Sequence, residues 1–248
     1  MRASKDVLDV WRRFDGFPME TITKAWYSQM DTEPRQRTVE QMQQHREQYG
    51  TSGNCFDLAI WLIDEFRQQE LHSYAILTPH SHVAVVAVSG EGKKYLCDLG
   101  DQWIEPILID DRDEAYTSQF LDGFFPGAKV KLNVQPDHLV VQYKRPNGKT
   151  SLQTFYLRPL SEAELIAAGE KAQQTLRRPL VEKRLFLPEQ IAHWEFDADK
   201  SFISYQEGRE EESQLDSIEA WAERISGRSG IAEDVVRQAL RVYAERSQ

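Results

Sequence analysis

Residues 82–100 read HVAVVAVSGEGKKYLCDLG, and they decide the fold class of the chain. Two short runs rich in β-branched and aromatic residues flank a Ser-Gly-Glu-Gly segment, which is the pattern of an antiparallel hairpin with a loop of about four or five residues. In such a hairpin the start of the first strand lies beside the end of the second. We therefore expect His82, which opens the first strand, to lie close to Asp98, which closes the second.

The chain before this hairpin is predicted to be helical, and the chain after it is predicted to be mixed. Apolar residues recur at helical spacing before the hairpin, and short strands dominate from residue 74 to residue 157. Helices, then strands, then both, without strict alternation, indicate an α+β fold. The predicted helices are residues 6–14, 20–30, 38–50, 55–69, 161–176, 215–225 and 231–244.

Composition narrows the class of protein. The chain has 248 residues, of which 40 are acidic and 30 are basic, and its formal charge of −10 disfavours nucleic acid or an anionic membrane as the main partner. No segment approaches the ~18 consecutive apolar residues of a membrane span, and the N-terminal residues lack the apolar region of a secretory signal. Two cysteines are too few for a disulfide framework. We expect a cytoplasmic protein with both thiols reduced.

Cys55 has the sequence context of a reactive thiol. It lies in residues 53–62, GNCFDLAIWL, directly after a glycine turn and in the first turn of a helix that Ser52 or Asn54 can cap. A helix N-terminus and a neighbouring imidazolium both stabilise a thiolate, and the backbone N–H at the helix start can act as an oxyanion-hole donor. We therefore interpret Cys55 as a nucleophile, His82 as its general base and acid, and Asp98 as the orienting carboxylate.

Each of these residues also has a structural interpretation. Cys55 taken alone would suit a buried core position, and Asp98 could cap the turn at Gly100. His80 is a rival of His82, but Pro79 before it favours a loop. A metal site is not expected, because His-x-His has no second pair of ligands at a suitable spacing.

Other residues are predicted to be structural. Cys97 alternates with Asp98 along a strand and should point into the core, and Asp57 should act only electrostatically at the helix N-terminus. Residues 209–213, REEES, are predicted to be a solvated linker. The aromatic residues of the segment 124–127 suit either an acceptor pocket or a loop anchor.

These motifs resemble those of the arylamine N-acetyltransferases. That family carries Gly-x-Cys-x-Glu before a helix, then His-x-x-Leu, then Tyr-Leu-x-Asp-Val-Gly ahead of a proline. The matching positions in this chain are Gly53, Cys55, His82, Tyr95, Leu96, Asp98, Gly100 and Pro106. The resemblance implies a cysteine-proteinase-like core with a helical subdomain over residues 1–72, a central antiparallel β-barrel over residues 73–160 and a smaller α/β lid with C-terminal helices over residues 161–248.

The same resemblance implies an acyltransferase. An acetyl or other acyl group would pass from acyl-CoA to Cys55 as a thioester, and then to a small amine, in ping-pong order. Acyl-CoA would be a cosubstrate, with no tightly bound cofactor.

The chain departs from the family pattern at several positions, so two other functions stay open. Asp57 replaces a Glu, Ala59 replaces an Asn, Asp101 replaces an aromatic residue, and residues 51–54 replace an Arg-Gly-Gly segment. Gly-x-Cys-x-Asp-x-Ala is also similar to transglutaminase-like proteins, which would make the chain a cysteine hydrolase or peptidase. The third hypothesis is a catalytically silent binding module.

Overall fold

The structure is a computed structural model, and it describes residues 2–30 and 36–246. The described residues leave out short pieces of the predicted helical subdomain and of the predicted lid: residue 1, residues 31–35 and residues 247–248. The N-terminal part is mainly helical, and the predicted inner face of its first helix is buried, as the spacing of its apolar residues required. Its elements are α1 (Lys5–Trp11) with a following 3-10 turn (Arg12–Phe14), β1 (Met19–Glu20), α2 (Ile22–Tyr27), α3 (Val39–Tyr49) and α4 (Cys55–Gln68).

The centre of the molecule is an eight-stranded antiparallel sheet that is almost closed into a barrel. Its spatial order is β5-β4-β3-β2-β9-β8-β7-β6, and the N–H of Ile104, just before β5, donates to the carbonyl of Phe124 in β6 over 2.8 Å. The strands are β2 (Ser73–Leu77), β3 (Val83–Val88), β4 (Lys94–Cys97), β5 (Ile107–Leu108), β6 (Leu121–Phe125), β7 (Ala128–Val134), β8 (His138–Lys144) and β9 (Thr150–Tyr156).

The hairpin predicted from residues 82–100 is present as β3 and β4. Val85 pairs with Cys97 and Val88 pairs with Lys94, so that residues 89–93 form the connection. Residues 83–87 of β3 are all buried, because α4 covers one face of the strand and the barrel interior covers the other. Burial on both faces explains why this strand reads as a continuous apolar run instead of an alternating one.

The C-terminal part forms a second antiparallel sheet, in the order β1-β10-β11-β12-β13. One face carries Val181, Trp194 and Phe196 and packs on α2, α6 and α7 to make a separate core. The opposite face turns toward the barrel. The elements are α5 (Glu162–Gln173), β10 (Leu180–Phe186), β11 (Ile191–Asp197), β12 (Lys200–Ser204), β13 (Arg209–Glu211), α6 (Ile218–Ser229) and α7 (Glu233–Arg246). None of the described helices is long and apolar enough to cross a membrane.

Several local predictions differ from the structure. The linker predicted over residues 209–213 is wrong, because Arg209–Glu211 form the edge strand β13 and Glu212 accepts hydrogen bonds from Trp194 Nε1 and Ser201 Oγ over 2.8 and 2.7 Å. Edge strands are often charged, because charge resists pairing with other chains. A charged segment is also typical of a solvated linker, so the sequence alone predicted the wrong one of the two. The helix predicted over residues 20–30 starts only at Ile22, because Glu20 belongs to the short strand β1.

Arg184 of β10 connects the second sheet to the N-terminal helical part and to the barrel. Its guanidinium is buried, donates to the carbonyls of Trp103 and Phe14 over 2.9 and 2.6 Å, and lies 5.4 Å from the centre of the Trp11 ring. Burial lowers the pKa of Arg184 to about 10, with Asp15 opposing that shift, so the side chain stays charged at neutral pH. The two sheets therefore meet at a buried cation whose two terminal nitrogens are hydrogen-bonded.

A second contact holds the sheets together at Gly127, in the β6–β7 turn. Its φ is +73°, and a Cβ there would lie 2.8 Å from the Cβ of Ser204 in β12. Close by, the side-chain amide of Gln206 donates to the carbonyl of Phe125 over 3.4 Å. Glycine is needed at this position for both the left-handed backbone and the close approach.

Replacing Arg184 by Met should lower the free energy of unfolding by about 3 kcal/mol, because two buried carbonyls lose their charged donor. Urea denaturation at pH 7 measures the change. Arg178→Met is the matched control, since Arg178 makes an exposed pair with Asp197 and its loss should change stability by under about 1 kcal/mol. Equal effects of the two substitutions would contradict the assigned role of Arg184.

Candidate active site

The start of α4 is fixed by a reciprocal cap around Cys55. The side-chain oxygen of Asn54 accepts the N–H of Phe56 over 2.8 Å, and Asp57 Oδ2 accepts the N–H of Asn54 over 3.0 Å. Gly53 precedes the cap with φ +104°, which favours glycine. The capping box places Cys55 in the first turn of the helix, half-buried.

Two buried carboxylates hold the loop before Cys55 from opposite sides. Glu20 accepts the N–H groups of Ser52 and Gly53 over 3.2 and 2.6 Å. Asp57 lies 3.4 Å from the Arg37 guanidinium, with both side chains 1% exposed, and also accepts the side-chain amides of Gln36 and Gln173. Asp57 therefore does far more than the electrostatic role predicted for it.

His82 lies between Cys55 and Asp98. Its Nε2 is 2.8 Å from Asp98 Oδ2, as the hairpin predicts, and its Cε1 and the Cβ of Cys55 lie on either side of the space above Gly100. Because Asp98 occupies Nε2, Nδ1 is the ring nitrogen available to the thiol. The structure thus brings all three predicted site residues together.

The charges around His82 favour its protonated form. Burial alone would lower the pKa of His82, but the carboxylates of Asp98 and Asp101 and the hydrogen bonds to Asp98 and Cys55 outweigh it, so the pKa is raised well above its usual range. For Asp98, which is fully buried, burial raises the pKa and His82 opposes that shift. The direction for His82 follows from having two carboxylates beside one ring, and it supports an imidazolium at neutral pH.

Asp101 is a second carboxylate at the histidine, and sequence reasoning did not select it. Its Oδ1 lies 3.6 Å from His82 Nε2, and its backbone N–H donates to Asp98 Oδ1 over 2.9 Å. The hydroxyl of Tyr143 donates to Asp101 Oδ2 over 2.5 Å and accepts from Trp103 Nε1 over 2.9 Å. Burial raises the pKa of Tyr143 strongly, so that hydroxyl keeps its proton and remains a donor.

Gly100 lets the thiol and the imidazole approach each other. A Cβ at this position would lie 2.6 Å from His82 Cε1 and 2.7 Å from the Cβ of Cys55. Both distances are shorter than carbon atoms tolerate, so any larger residue would push the two side chains apart. The glycine of the Asp-Leu-Gly motif is therefore required by close packing at the site.

The other candidate residues lie elsewhere. Cys97 is buried in the core, as predicted, and burial raises the pKa of its thiol strongly. His80 is exposed in the β2–β3 turn. Within residues 2–30 and 36–246, only His82, Asp98 and Asp101 form a group whose ligand atoms all lie within 4.8 Å of one another. A metal ion there would take His82 Nε2 and displace the proton that this nitrogen shares with Asp98, so we interpret the group as acid–base machinery.

A cleft of about 800 Å³ separates the barrel from the second sheet and begins at Asp101. The barrel contributes Phe125, Tyr143 and Gln153 to its lining, which places an aromatic residue of the segment 124–127 in the cleft wall. The second sheet contributes Glu182, His193 and Glu195, and exposed basic residues lie at the mouth: Arg145, Lys149 and Arg209.

The fold is that of the arylamine N-acetyltransferases. The structure of the Mycobacterium marinum arylamine N-acetyltransferase in complex with CoA matches with a TM-score of 0.76 and 14% identity, over 97% of this chain and 93% of that one. The enzyme from M. tuberculosis matches with a TM-score of 0.73 and 16% identity, over 96% and 94%. The enzyme from Salmonella typhimurium gives 0.72 and 11%, over 95% and 89%. No family model and no curated protein matches the sequence.

Cys55 should react with iodoacetamide well below pH 7, and His82→Ala should slow its reaction at pH 6 by about tenfold or more. The raised pKa of His82 keeps the ring protonated at pH 6, so its positive charge beside the sulfur favours alkylation there, and this advantage is lost as pH rises through that pKa. Peptide mass spectrometry resolves Cys55 from Cys97, which should stay unreacted, and His80→Ala is the control. A Cys55 that reacts like a free thiol in the unmodified chain would refute this role of His82.

Gly100→Ala should have the same effect on alkylation at pH 6, about tenfold or more, because the added methyl group separates the thiol from the imidazole. Overpacking should also lower the free energy of unfolding by about 1–3 kcal/mol. Gly227→Ala in α6 is the control, since its Cβ would meet no atom within 4 Å. Unchanged alkylation in Gly100→Ala would show that the close approach is not needed.

Proposed function

We propose that a chain with the arylamine N-acetyltransferase fold and a Cys55–His82–Asp98 arrangement transfers acyl groups from acyl-CoA to a small amine. The observation that carries the proposal is the position of His82, which packs beside Cys55 at Gly100 on one side and lies 2.8 Å from the buried Asp98 carboxylate on the other. A histidine needed only for packing would not require a half-buried thiol at a helix N-terminus and a carboxylate at the same time. The proposed location is cytoplasmic, where acyl-CoA and a reduced thiol coexist.

The first half-reaction forms a thioester on Cys55. The thiolate attacks the carbonyl carbon of acyl-CoA, and the bond between that carbon and the CoA sulfur breaks as the tetrahedral intermediate collapses. The His82 imidazolium gives its proton to the departing CoA sulfur. The side chain of Asn54 accepts the N–H groups of the two residues that follow Cys55. The N–H of Cys55 itself is the candidate donor to the oxyanion.

The second half-reaction returns the free enzyme. The amine nitrogen attacks the thioester carbonyl, His82 takes the proton that the nitrogen loses, and the electron pair of the C–S bond returns to Cys55. Asp98 holds the ring orientation in both halves and offsets the charge of the imidazolium. Asp101, itself held by Tyr143, adds a second negative charge beside the ring.

The cleft supports a nucleotide-bearing donor. Its volume of about 800 Å³ falls within the range of ligand pockets, and its lining includes Asp101, whose Oδ1 lies 3.6 Å from His82 Nε2. Arg145 and Lys149 at the mouth suit the phosphates of a CoA molecule whose thioester points inward, whereas Arg209 is paired with Glu211. One structural neighbour is itself a CoA complex.

Incubation with acetyl-CoA should leave one acetyl group on the peptide that contains Cys55 and none on the peptide that contains Cys97. Peptide mass spectrometry measures both in the same digest. Cys55→Ala and His82→Ala should abolish the modification, whereas His80→Ala should retain it.

The choice of donor separates the three hypotheses. Acetylation by acetyl-CoA supports the acyltransferase. Acylation of Cys55 by a glutamine-containing peptide, with none by acetyl-CoA, would replace it by the transglutaminase-like hydrolase. No acylation by either donor, with Cys55 reacting like a free thiol, would favour the silent binding module.

A further inference from the structure

Two carboxyl groups face each other across the second sheet inside the cleft. Glu182 of β10 and Glu195 of β11 are direct cross-strand partners, and directly opposite side chains share a face of the sheet. Both are half-buried and both line the cleft. Like charges in such a position oppose folding, so the pair calls for a reason other than stability.

No hydrogen bond or ion pair holds either carboxyl group in the described part of the protein, and Arg209, Arg145 and Arg178 oppose the raised pKa of Glu195 from beyond ion-pair distance. Arg184, two positions from Glu182, is already engaged by the carbonyls of Phe14 and Trp103. Burial and the charges of Glu195 and Asp101 raise the pKa of Glu182 well above its usual range, and burial and Asp197 raise that of Glu195 to about 7.

Two further hydrogen-bonding atoms in the cleft wall lack a partner. His193 is 6% exposed, lines the cleft, and has a buried Nε2 without a hydrogen bond. Burial lowers the pKa of His193 to about 4, so its ring is neutral at pH 7 and one of its nitrogens is an acceptor. Gln153 donates its amide N–H to Asp101, but its Oε1 is buried and unpartnered. The cleft wall thus presents hydrogen-bond acceptors without a donor among the described residues.

Aromatic faces lie beside these acceptors. The Phe125 ring is 4.9 Å from the Tyr143 ring and 6.0 Å from the His193 ring, measured between ring centres. Carboxylates next to aromatic faces suit an ammonium group on an alkyl chain, because the ring faces attract the cation and pack against the methylene groups. A flat, neutral arylamine would leave the carboxyl pair without a counter-charge.

We propose that Glu182 and Glu195 form a cation subsite and that the acyl acceptor is an aliphatic diamine or polyamine, with one ammonium held between these two residues while a second amino group is acylated. The inference rests on the proposed acyl transfer and names its acceptor class. His193 and Gln153 take further N–H donors of the same molecule. The basic residues at the mouth serve the anionic donor, which occupies the cleft in the other half-reaction.

The bound ammonium takes no part in bond making. The reacting nitrogen enters as a neutral amine, forms the C–N bond with the acyl carbon, and passes one proton to His82. The C–S bond breaks toward Cys55. The distal ammonium keeps its proton and its place between the carboxylates, so the products are the mono-acylated amine and the free thiol.

Calorimetric titration of the unacylated protein with putrescine at pH 8 tests the subsite, with butylamine and aniline as comparison ligands. Putrescine and butylamine should each bind roughly tenfold or more tightly than aniline, because only the two alkylamines are ammonium ions at pH 8. Glu182→Gln and Glu195→Gln should each remove this preference. Glu189→Gln, an exposed carboxyl in the β10–β11 turn, carries the same charge change outside the cleft and should keep it.

The same amines should then be compared as acceptors for the isolated acetyl-Cys55 protein, with discharge of the acetyl group followed by mass spectrometry. Faster discharge by putrescine, lost in Glu182→Gln and kept in Glu189→Gln, supports the acceptor class. Equal discharge by putrescine and butylamine in the unmodified chain overturns it without recourse to any variant.

The two proposals fail separately. A protein that is acetylated on Cys55 but binds putrescine no better than aniline refutes the cation subsite alone. A protein that binds putrescine through Glu182 and Glu195 but is never acetylated on Cys55 retains the subsite and refutes the acyl transfer.

Discussion

A single buried carboxylate, Asp57, fixes the geometry on which the candidate site depends. It closes the cap of α4 at Asn54, faces the buried Arg37, and accepts the amide of Gln173 from the end of α5. A buried ion pair adds little net stability over an apolar core, but removing one partner leaves a charge stranded and costs about 3–5 kcal/mol. The network therefore acts chiefly as a positional constraint. It determines where α4 begins, and thus where the sulfur of Cys55 lies relative to His82.

Local sequence patterns were sufficient to predict the features that form within one short segment of the chain. Period-two and period-3.6 patterns predict most helices and strands, and the hairpin of residues 82–100 places His82 beside Asp98 without knowledge of the rest of the fold. The fold class followed from the order of the elements, and the structural neighbours confirm it. Cys55 was recognisable because a glycine turn, a capping residue and an apolar stripe coincide there.

The remaining features depend on contacts between distant segments. Glu20 and Ser52 meet only because β1 joins a sheet whose other strands begin 160 residues later in the chain. The sequence does not predict Asp101 as a partner of His82, because the hydroxyl that holds its carboxylate comes from Tyr143 in the distant strand β8. The pairing of Glu182 with Glu195 requires the register of β10 with β11, and in sequence both residues read as the ordinary exposed face of a strand. Two strands, β1 and β5, have two residues each, which are too few to show a period.

Arg184 and Gly127 hold the two walls of the cleft to each other at separate points, and this has a consequence for selectivity. Walls pinned in this way keep a constant spacing, so a substrate is selected by its cross-section on entry rather than by a domain closing around it. Little conformational freedom is left to lose on binding, which favours recognition of thin, flexible chains by a preorganised slot. The family resemblance implies a lid over residues 161–248, and the two contacts predict that this part keeps its place when a substrate binds.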